Sequence, residues 1–337
     1  MHKGIAVAGS MVVDYIKAVD TYPQPGMLAT IAQTSRAVGG CVPNTLLDLA
    51  RMGGNIPLRA FGRVGADGNG LYLLDCLGRA GVDTSGVART EGADTSFSDA
   101  ICALDTGERT FFHHRGGNAL FSPEDAPPER LCCDILHIGY LLLLDRFDAP
   151  DEDCGTVMAR YLRDVQRQGI RTSIDVASST AGQFAQTVIP ALRYCDYAIM
   201  NEVEACAVSG LPARDAAGRL IPGNIRRTLE GFLALGVRRR AVIHCPEGGF
   251  CMDAREGYAQ APSLRLPPEF IRGSVGAGDA FCAGCLHALY QGDGPEDMLR
   301  YAAAAAAASL SAADAVSGMR SEAELRQMMK TWEWRTL

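Results

Sequence analysis

The stretch Gly273-Ser-Val-Gly-Ala-Gly-Asp-Ala-Phe-Cys-Ala-Gly284 decides how this chain is read. Gly276 and Gly278 permit turn conformations that side chains obstruct, and residues 280–290 carry the apolar spacing of a helix. The backbone N–H groups of Gly276, Ala277, Gly278 and Asp279 then point out of a helix N-terminus. With the helix dipole behind them they make an anion site that needs no lysine. Asp279 falls in the first turn. A carboxylate beside a bound phosphate is unfavourable unless it has a task, and accepting a proton from an attacking hydroxyl is such a task. The competing reading leaves Asp279 complementing the helix dipole and the glycines capping a helix.

Composition narrows the chemistry around that motif. The 337 residues contain 32 Lys and Arg against 39 Asp and Glu, a net charge of −7, which argues against nucleic acid or an anionic membrane as a partner. Only Lys3, Lys17 and Lys330 are lysines, so no Gly-Lys pair exists for a Walker-type loop and no strand lysine for a protein kinase. Schiff-base chemistry is nearly excluded on the same ground. The 12 cysteines are scattered. The nearest approach to a metal or redox spacing, Cys282-Ala-Gly-Cys285, reads as two small apolar core residues of a helix, and no HExxH occurs. The first residues read as a strand and turn rather than a signal segment, and no apolar run reaches the ~20 residues of a membrane span. A reducing cytoplasm is the expected compartment.

Short apolar runs at 5–8, 135–138, 172–174, 197–200 and 241–243 read as buried strands. Helical spacing occupies 44–52, 155–168 and 226–235. Such alternation implies a mostly parallel sheet covered on both faces, with ligands beyond the carboxyl ends of the strands. Residues 13–38 and 96–115 read as extended segments without an intervening helix. They suit a small antiparallel sheet outside the main one, serving as a lid, or else ordinary surface hairpins. The seven alanines at 302–308 read as a closely packed helix. One large α/β domain, 1–337, with a lid accounts for the length.

Two further segments are weak alone. Val38-Gly39-Gly40-Cys41-Val42-Pro43-Asn44 places paired glycines before a helix and is followed by the glycine-rich run from Gly62 to Gly70. It reads either as backbone open to a small polar ligand, with Asn44 offering a donor and an acceptor, or as a plain helix entry. Asn201-Glu-Val-Glu204 reads either as a capping box or as a carboxylate placed where Mg²⁺ and phosphates gather.

Taken together, Gly39-Gly40…Asn44, Gly62…Gly65…Asp67…Gly70, Asn201-x-x-Glu204 and Gly276-Ala-Gly-Asp279-Ala-Phe stand in the order and spacing of the ribokinase-like (PfkB-type) carbohydrate kinases. The resemblance runs from Gly9 to about Gly318. It implies a three-layer α/β/α sandwich with a small β-sheet lid, through which many members pair as homodimers. It implies that Asp279 is the base that deprotonates a substrate hydroxyl for attack on the γ-phosphate of ATP. Gly276, Ala277 and Gly278 are then the anion hole. Asn201 and Glu204 organise Mg²⁺ and phosphate, with Glu204 reaching the metal through water. Asp14, Gly39, Gly40 and Asn44 hold sugar hydroxyls, and Asn118 is a contact near the lid.

Three departures qualify these expectations. Gly273 stands where the resemblance implies an aspartate that helps bind a monovalent cation, which weakens the case for K⁺ activation. His244-Cys-Pro-Glu-Gly-Gly249 aligns with a Thr-x-Gly-x-x-Gly nucleotide loop, and only Gly249 agrees. Asp175-Val-Ala-Ser178 lacks the Asn and Arg that follow this strand in acidic-sugar kinases. The expected activity is ATP-dependent phosphorylation of a small sugar. A nucleoside kinase is the nearest alternative, with Phe111, Phe112 and Phe121 as a wall for a base. A dinucleotide-dependent oxidoreductase would need G-x-G-x-x-G after the first strand, where Gly9-Ser-Met-Val-Val-Asp14 stands. A silent sugar-binding relative would have no use for Asp279.

Overall fold

The computed structural model describes residues 3–106, 108–177 and 184–337. In chain order, β1 (Ile5–Gly9) leads into β2 (Val12–Val19) and β3 (Ile31–Gly39), then α1 (Cys41–Met52), β4 (Leu58–Gly65), α2 (Gly68–Arg79) and β5 (Asp83–Thr90). Next come β6 (Phe97–Ala103), β7 (Arg109–His114), β8 (Ile135–Leu141) and the one-turn α3 (Asp145–Asp148). A two-residue ribbon, β9 (Pro150–Asp151) and β10 (Gly155–Thr156), precedes α4 (Val157–Arg167) and β11 (Arg171–Val176). Then follow α5 (Phe184–Leu192), β12 (Tyr197–Asn201), α6 (Glu202–Ser209), α7 (Pro222–Leu235), β13 (Arg240–Cys245), β14 (Gly248–Asp253) and β15 (Gly257–Pro262). The chain closes with α8 (Ala277–Gln291), α9 (Pro295–Ser309) and α10 (Glu322–Thr331).

Nine strands form one sheet in the order β15-β14-β13-β12-β11-β8-β1-β4-β5. Every pairing from β13 to β5 is parallel, and β14 and β15 add an antiparallel edge. Alternation along β1 shows why the sheet is covered twice. Ile5 and Val7 join the core under α1, α8 and α9, whereas Ala6 and Ala8 join the core under α4 and α7. The expected α/β/α sandwich is therefore present. The small sheet is also present, in the order β3-β2-β6-β7, but it is not wholly antiparallel as expected. β2 pairs with β6 in parallel, because the chain leaves the small sheet after β3, builds α1 to β5 in the main domain, and re-enters beside β2. The helix expected from 155 begins at Val157, since Thr156 caps it by accepting from Ala159 N–H at 3.2 Å. Ser178 of the Asp175–Ser178 reading lies outside the described residues.

The alanine run is the middle of α9. It lets α8 approach so closely that a Cβ on Gly284 would stand 2.7 Å from Ala302 Cα. That contact seats α8, and with it the 276–279 turn, firmly against the domain.

One buried charge strains this packing. Asp48 on α1 is 0 % exposed, and neither carboxylate oxygen has a hydrogen-bond partner among the described residues. Burial, with the Asp279 charge nearby, pushes its pKa well above the ordinary carboxylate range. A group raised in the folded state favours folding only below its unfolded pKa and opposes it as pH climbs towards the folded value. Asp48→Asn should therefore match wild type in urea unfolding near pH 4 and exceed it at pH 8. The gain expected is about 1.4 kcal/mol for each pH unit by which the folded pKa exceeds the unfolded one, up to the pH of the measurement. A difference independent of pH would contradict this.

Candidate active site at the amino end of α8

The motif Gly276-Ala-Gly-Asp279 forms the turn into α8. Gly276 is the residue before the helix, at φ 77°, and a Cβ there would stand 2.5 Å from Ala315 Cβ. Only glycine satisfies both the positive φ and the contact. The first-turn N–H groups of Ala277, Gly278 and Asp279 have no acceptor within the helix by geometry, and that of Ala277 makes only a long contact, 3.5 Å, to Ser274 O in the turn before it. They open where Ser274, Ala277 and Gly278 line a cavity of about 620 Å³.

That cavity lies between the amino ends of α6 and α8. Asn201, Val203, His244 and Phe281 line one part of it, and Leu264, Leu266, Ile271 and Leu310 line an apolar part. Asn201 accepts from Val203 and Glu204 N–H at 3.0 and 2.8 Å, and Glu204 accepts from Asn201 N–H at 3.1 Å. The capping box is therefore built, and it fixes the Glu204 carboxyl at the carboxyl end of β12. His244 stacks on Phe281 at 4.8 Å, and burial pulls its pKa down to about 4, so the ring is neutral at pH 7. Gly249 is buried on β14 beneath that stack, where a Cβ would stand 2.9 Å from Phe281 Cζ. Arg335 is a cation on the wall.

A second cavity of about 260 Å³ lies between the small sheet and the domain, with Val275 on its wall. Asp14, Gln33, Ser35, Arg36, Arg109 and Asp314 make it polar, and Phe111 adds one ring. Burial raises Asp14 to a pKa of about 6, against the lowering bond from Ser98. Gly39 leaves room for that carboxylate, since a Cβ there would overlap Asp14 Oδ2 at 2.3 Å. Gly40, at φ 84°, turns the chain into α1. Asn118 is 1 % exposed and fully engaged: Oδ1 accepts from Met11 N–H at 3.0 Å and Nδ2 donates to Ser10 Oγ at 2.9 Å. It braces the β1–β2 turn beneath the cavity.

Residues 274–278 thus form the partition between the two cavities, and Asp279 stands at its root. Asn44 Nδ2 donates to Asp279 Oδ2 at 2.8 Å, and Tyr140 Oη donates to both carboxylate oxygens at 3.1 and 2.9 Å. Burial first, then the Asp175 charge, raise its pKa to about 6 against these two donors. It is mostly ionised at pH 7 and close enough to neutrality to take a proton.

The arrangement has the signature of one family, and the whole chain carries it: the sequence profile described as pfkB family carbohydrate kinase matches residues 2–322. The chain belongs to the pfkB family of carbohydrate kinases. It is 23% identical to a ribokinase of Arabidopsis thaliana over 330 residues, 97% of this chain and 81% of that protein. Among solved structures, the Arabidopsis thaliana ribokinase complexed with ribose and ATP superposes with a TM-score of 0.80 at 20% identity, covering 98% and 99% of the two chains. A Methanocaldococcus jannaschii nucleoside kinase does so with a TM-score of 0.75 at 16% identity, covering 97% and 98%. At such identities these structures establish the fold. In this pfkB member no described helix is long and apolar enough to cross a membrane.

In this pfkB kinase, Tyr140, Asp175 and His137 surround Asp279 and His244 lines the larger cavity, without having been singled out as site residues. Asp175 Oδ1 accepts from Tyr140 N–H at 2.5 Å, and Asp175 Oδ2 lies 3.4 Å from His137 Nε2. Tyr140 is held at φ 62°, an uncommon region for a non-glycine residue, and the Asp175 bond helps to hold it there. A usable signal existed. Tyr140, Asp175 and His244 each stand one or two positions beyond a run read as a buried strand, where sheets of this class place ligands. Phe121 corrects the expected aromatic wall: it is 0 % exposed and packs in the core 5.2 Å from Phe147.

Proposed function

We propose that this kinase transfers the γ-phosphoryl group of ATP to a hydroxyl of a small sugar, with Asp279 as the general base. The observation that carries the reading is the partition: residues 274–278 separate a nucleotide-sized cavity from a smaller one that holds Asp14, and the next residue is Asp279, a buried carboxylate of raised pKa. The apolar part of the larger cavity suits an adenine ring, and the neutral His244–Phe281 stack leaves the phosphates to backbone amides. In the smaller cavity Asp14 offers hydrogen bonds to sugar hydroxyls, and Asn44 stands behind it, bonded to Asp279. The sugar O–H proton passes to Asp279, the sugar oxygen bonds to the γ-phosphorus, and the bond to the β–γ bridging oxygen breaks to release ADP. The amides of Gly276, Ala277 and Gly278 face the charge that develops on the transferring group.

Glu204 is a hard oxygen donor whose carboxyl caps the N–H of the cavity-lining Asn201, so it would hold an Mg²⁺ ion in that cavity through water rather than directly. When bound, Mg²⁺ screens the phosphate charge. Position 273 does not fit a cation-binding carboxylate, because a Cβ there would already stand 2.9 Å from Ala312 O.

The cavity of about 260 Å³ lies just below the ~300–1,000 Å³ range of ligand sites, and that size favours a monosaccharide over the larger nucleoside. The ribose held by the Arabidopsis thaliana ribokinase supports the same choice. The test is ADP release over pentoses, hexoses and nucleosides, with and without K⁺. Saturable release with a pentose or hexose, unchanged by K⁺, is expected; release with nucleosides alone would overturn the sugar reading. The small sheet also exposes Leu28, Ile31, Leu104 and Phe112 at 90, 50, 62 and 56%. We propose this face as the homodimer contact, so light scattering should give twice the chain mass, and Ile31→Lys should give the monomer.

A further inference from the structure

A cluster beneath Asp279 supplies no atom that reacts in the proposed transfer. His137 on β8, Asp175 on β11 and Cys282 on α8 bring a ring nitrogen, a carboxylate oxygen and a sulfur to within 4.8 Å of one another, all buried. His137 Nε2 stands 3.4 Å from Asp175 Oδ2 and 3.6 Å from Cys282 Sγ. A tetrahedral zinc ion, with its usual bonds of about 2.1 Å to nitrogen and oxygen and about 2.3 Å to sulfur, has N–O and N–S edges of about 3.4 and 3.6 Å. The two measured separations already match those edges.

The surroundings aim the donors. His137 Nδ1 lies 3.0 Å from Ser173 Oγ, and a proton there leaves the Nε2 lone pair on the cluster. Tyr140 N–H occupies Asp175 Oδ1 and leaves Oδ2 turned towards His137. Three different elements of the main domain supply the ligands, so the spacing is rigid. The Asp175 side chain is 11% exposed, which gives an ion a way in.

We propose that His137, Asp175 and Cys282 bind one borderline-soft divalent metal ion of the zinc class, and that its binding inhibits the kinase. Thiolate and imidazole select such an ion over Mg²⁺. On binding, the Cys282 S–H bond breaks, a metal–sulfur bond forms, and the proton leaves to solvent. Inhibition follows because Asp175 Oδ1 accepts from Tyr140 N–H and Tyr140 Oη donates to the Asp279 carboxylate, so an ion that draws Asp175 towards itself disturbs the residue that positions the base. This second half rests on the reading of Asp279 as the base; the binding half does not.

Co²⁺ serves as the probe, titrated into the purified full chain. One equivalent should give a thiolate-to-cobalt charge-transfer band with d–d bands of tetrahedral intensity, displaced by Zn²⁺. Cys282→Ser and His137→Gln should each lose the charge-transfer band or its tetrahedral companions, with circular dichroism reporting that they fold. Cys282→Ser should keep its Mg²⁺-supported turnover and resist micromolar Zn²⁺ that suppresses wild type at least tenfold. No cysteinate band in wild type, or a band that survives Cys282→Ser, overturns the site. Zinc bound without loss of turnover overturns the inhibition. A cobalt band in a chain with no kinase activity upholds the site and sinks only the functional reading.

Discussion

Asp279→Asn is expected to lower the turnover of phosphoryl transfer by about 10²- to 10⁴-fold, the range for losing a positioned general base. The substitution removes proton-accepting ability and little else. The introduced amide oxygen still accepts from Tyr140 Oη. Its NH₂ group meets Asn44, whose Oδ1 has no hydrogen-bond partner among the described residues and can accept after an amide flip. The first-turn amides of α8 are backbone groups and are untouched, so ADP affinity measured by calorimetry should stay within about threefold of wild type. Thermal unfolding should shift by no more than a few degrees, upward at high pH, because a buried charge is lost. Turnover within tenfold of wild type would remove Asp279 from the role of base. A joint loss of turnover and ADP binding would point instead to a collapsed α8 turn.

The second large effect is on pH dependence. Asp279 must be ionised to accept a proton, and its pKa is raised to about 6 by burial and the Asp175 charge. Log kcat/KM for the sugar should therefore be level above pH 7 and fall below pH 6. The loss is at least tenfold per pH unit. Asp14, also raised to about 6, titrates in the same window, so the slope should approach two if both carboxylates must be charged. Tyr140→Phe keeps the ring and deletes a hydrogen bond that favours the ionised carboxylate. A hydrogen bond to a charged group contributes about 1.5–3 kcal/mol, so the limb should move up by about one pH unit or more. A limb that stays in place would show that Tyr140 Oη does not act on the base.

These expectations mix residues that could be read from the chain with residues that could not. The 276–279 motif was readable because its demands are local: a positive φ at Gly276, a helix start, and a carboxylate in the first turn. The parallel sheet was readable because buried strands make uninterrupted apolar runs. Capping at Asn201-x-x-Glu204 was readable for the same local reason. What escaped depends on contacts between distant positions. Tyr140 reaches Asp279 across 139 residues of sequence, and nothing in the neighbourhood of Tyr140 marks its left-handed backbone. Asn118 entered through the resemblance as a contact near the lid, and its bonds to Met11 N–H and Ser10 Oγ join positions more than 100 residues away in the chain. Phe121 was placed with Phe111 and Phe112 by proximity in the chain, whereas a short 3₁₀ turn, Gly116–Leu120, returns it to the core. The parallel β2–β6 pairing escaped for a similar reason: two extended segments separated by a βαβ excursion carry no local sign of their relative direction.

Phosphoryl transfer from ATP to a sugar hydroxyl is tested most directly by phosphorus NMR of the product. The wild-type chain, incubated with ATP, Mg²⁺ and each pentose or hexose in turn, should produce ADP together with an equal amount of one sugar monophosphate. The phosphorus signal of that product should couple to the protons of a single sugar carbon. ADP accompanied only by inorganic phosphate, or no sugar phosphate with any member of the panel, would show that the chain does not phosphorylate a sugar hydroxyl.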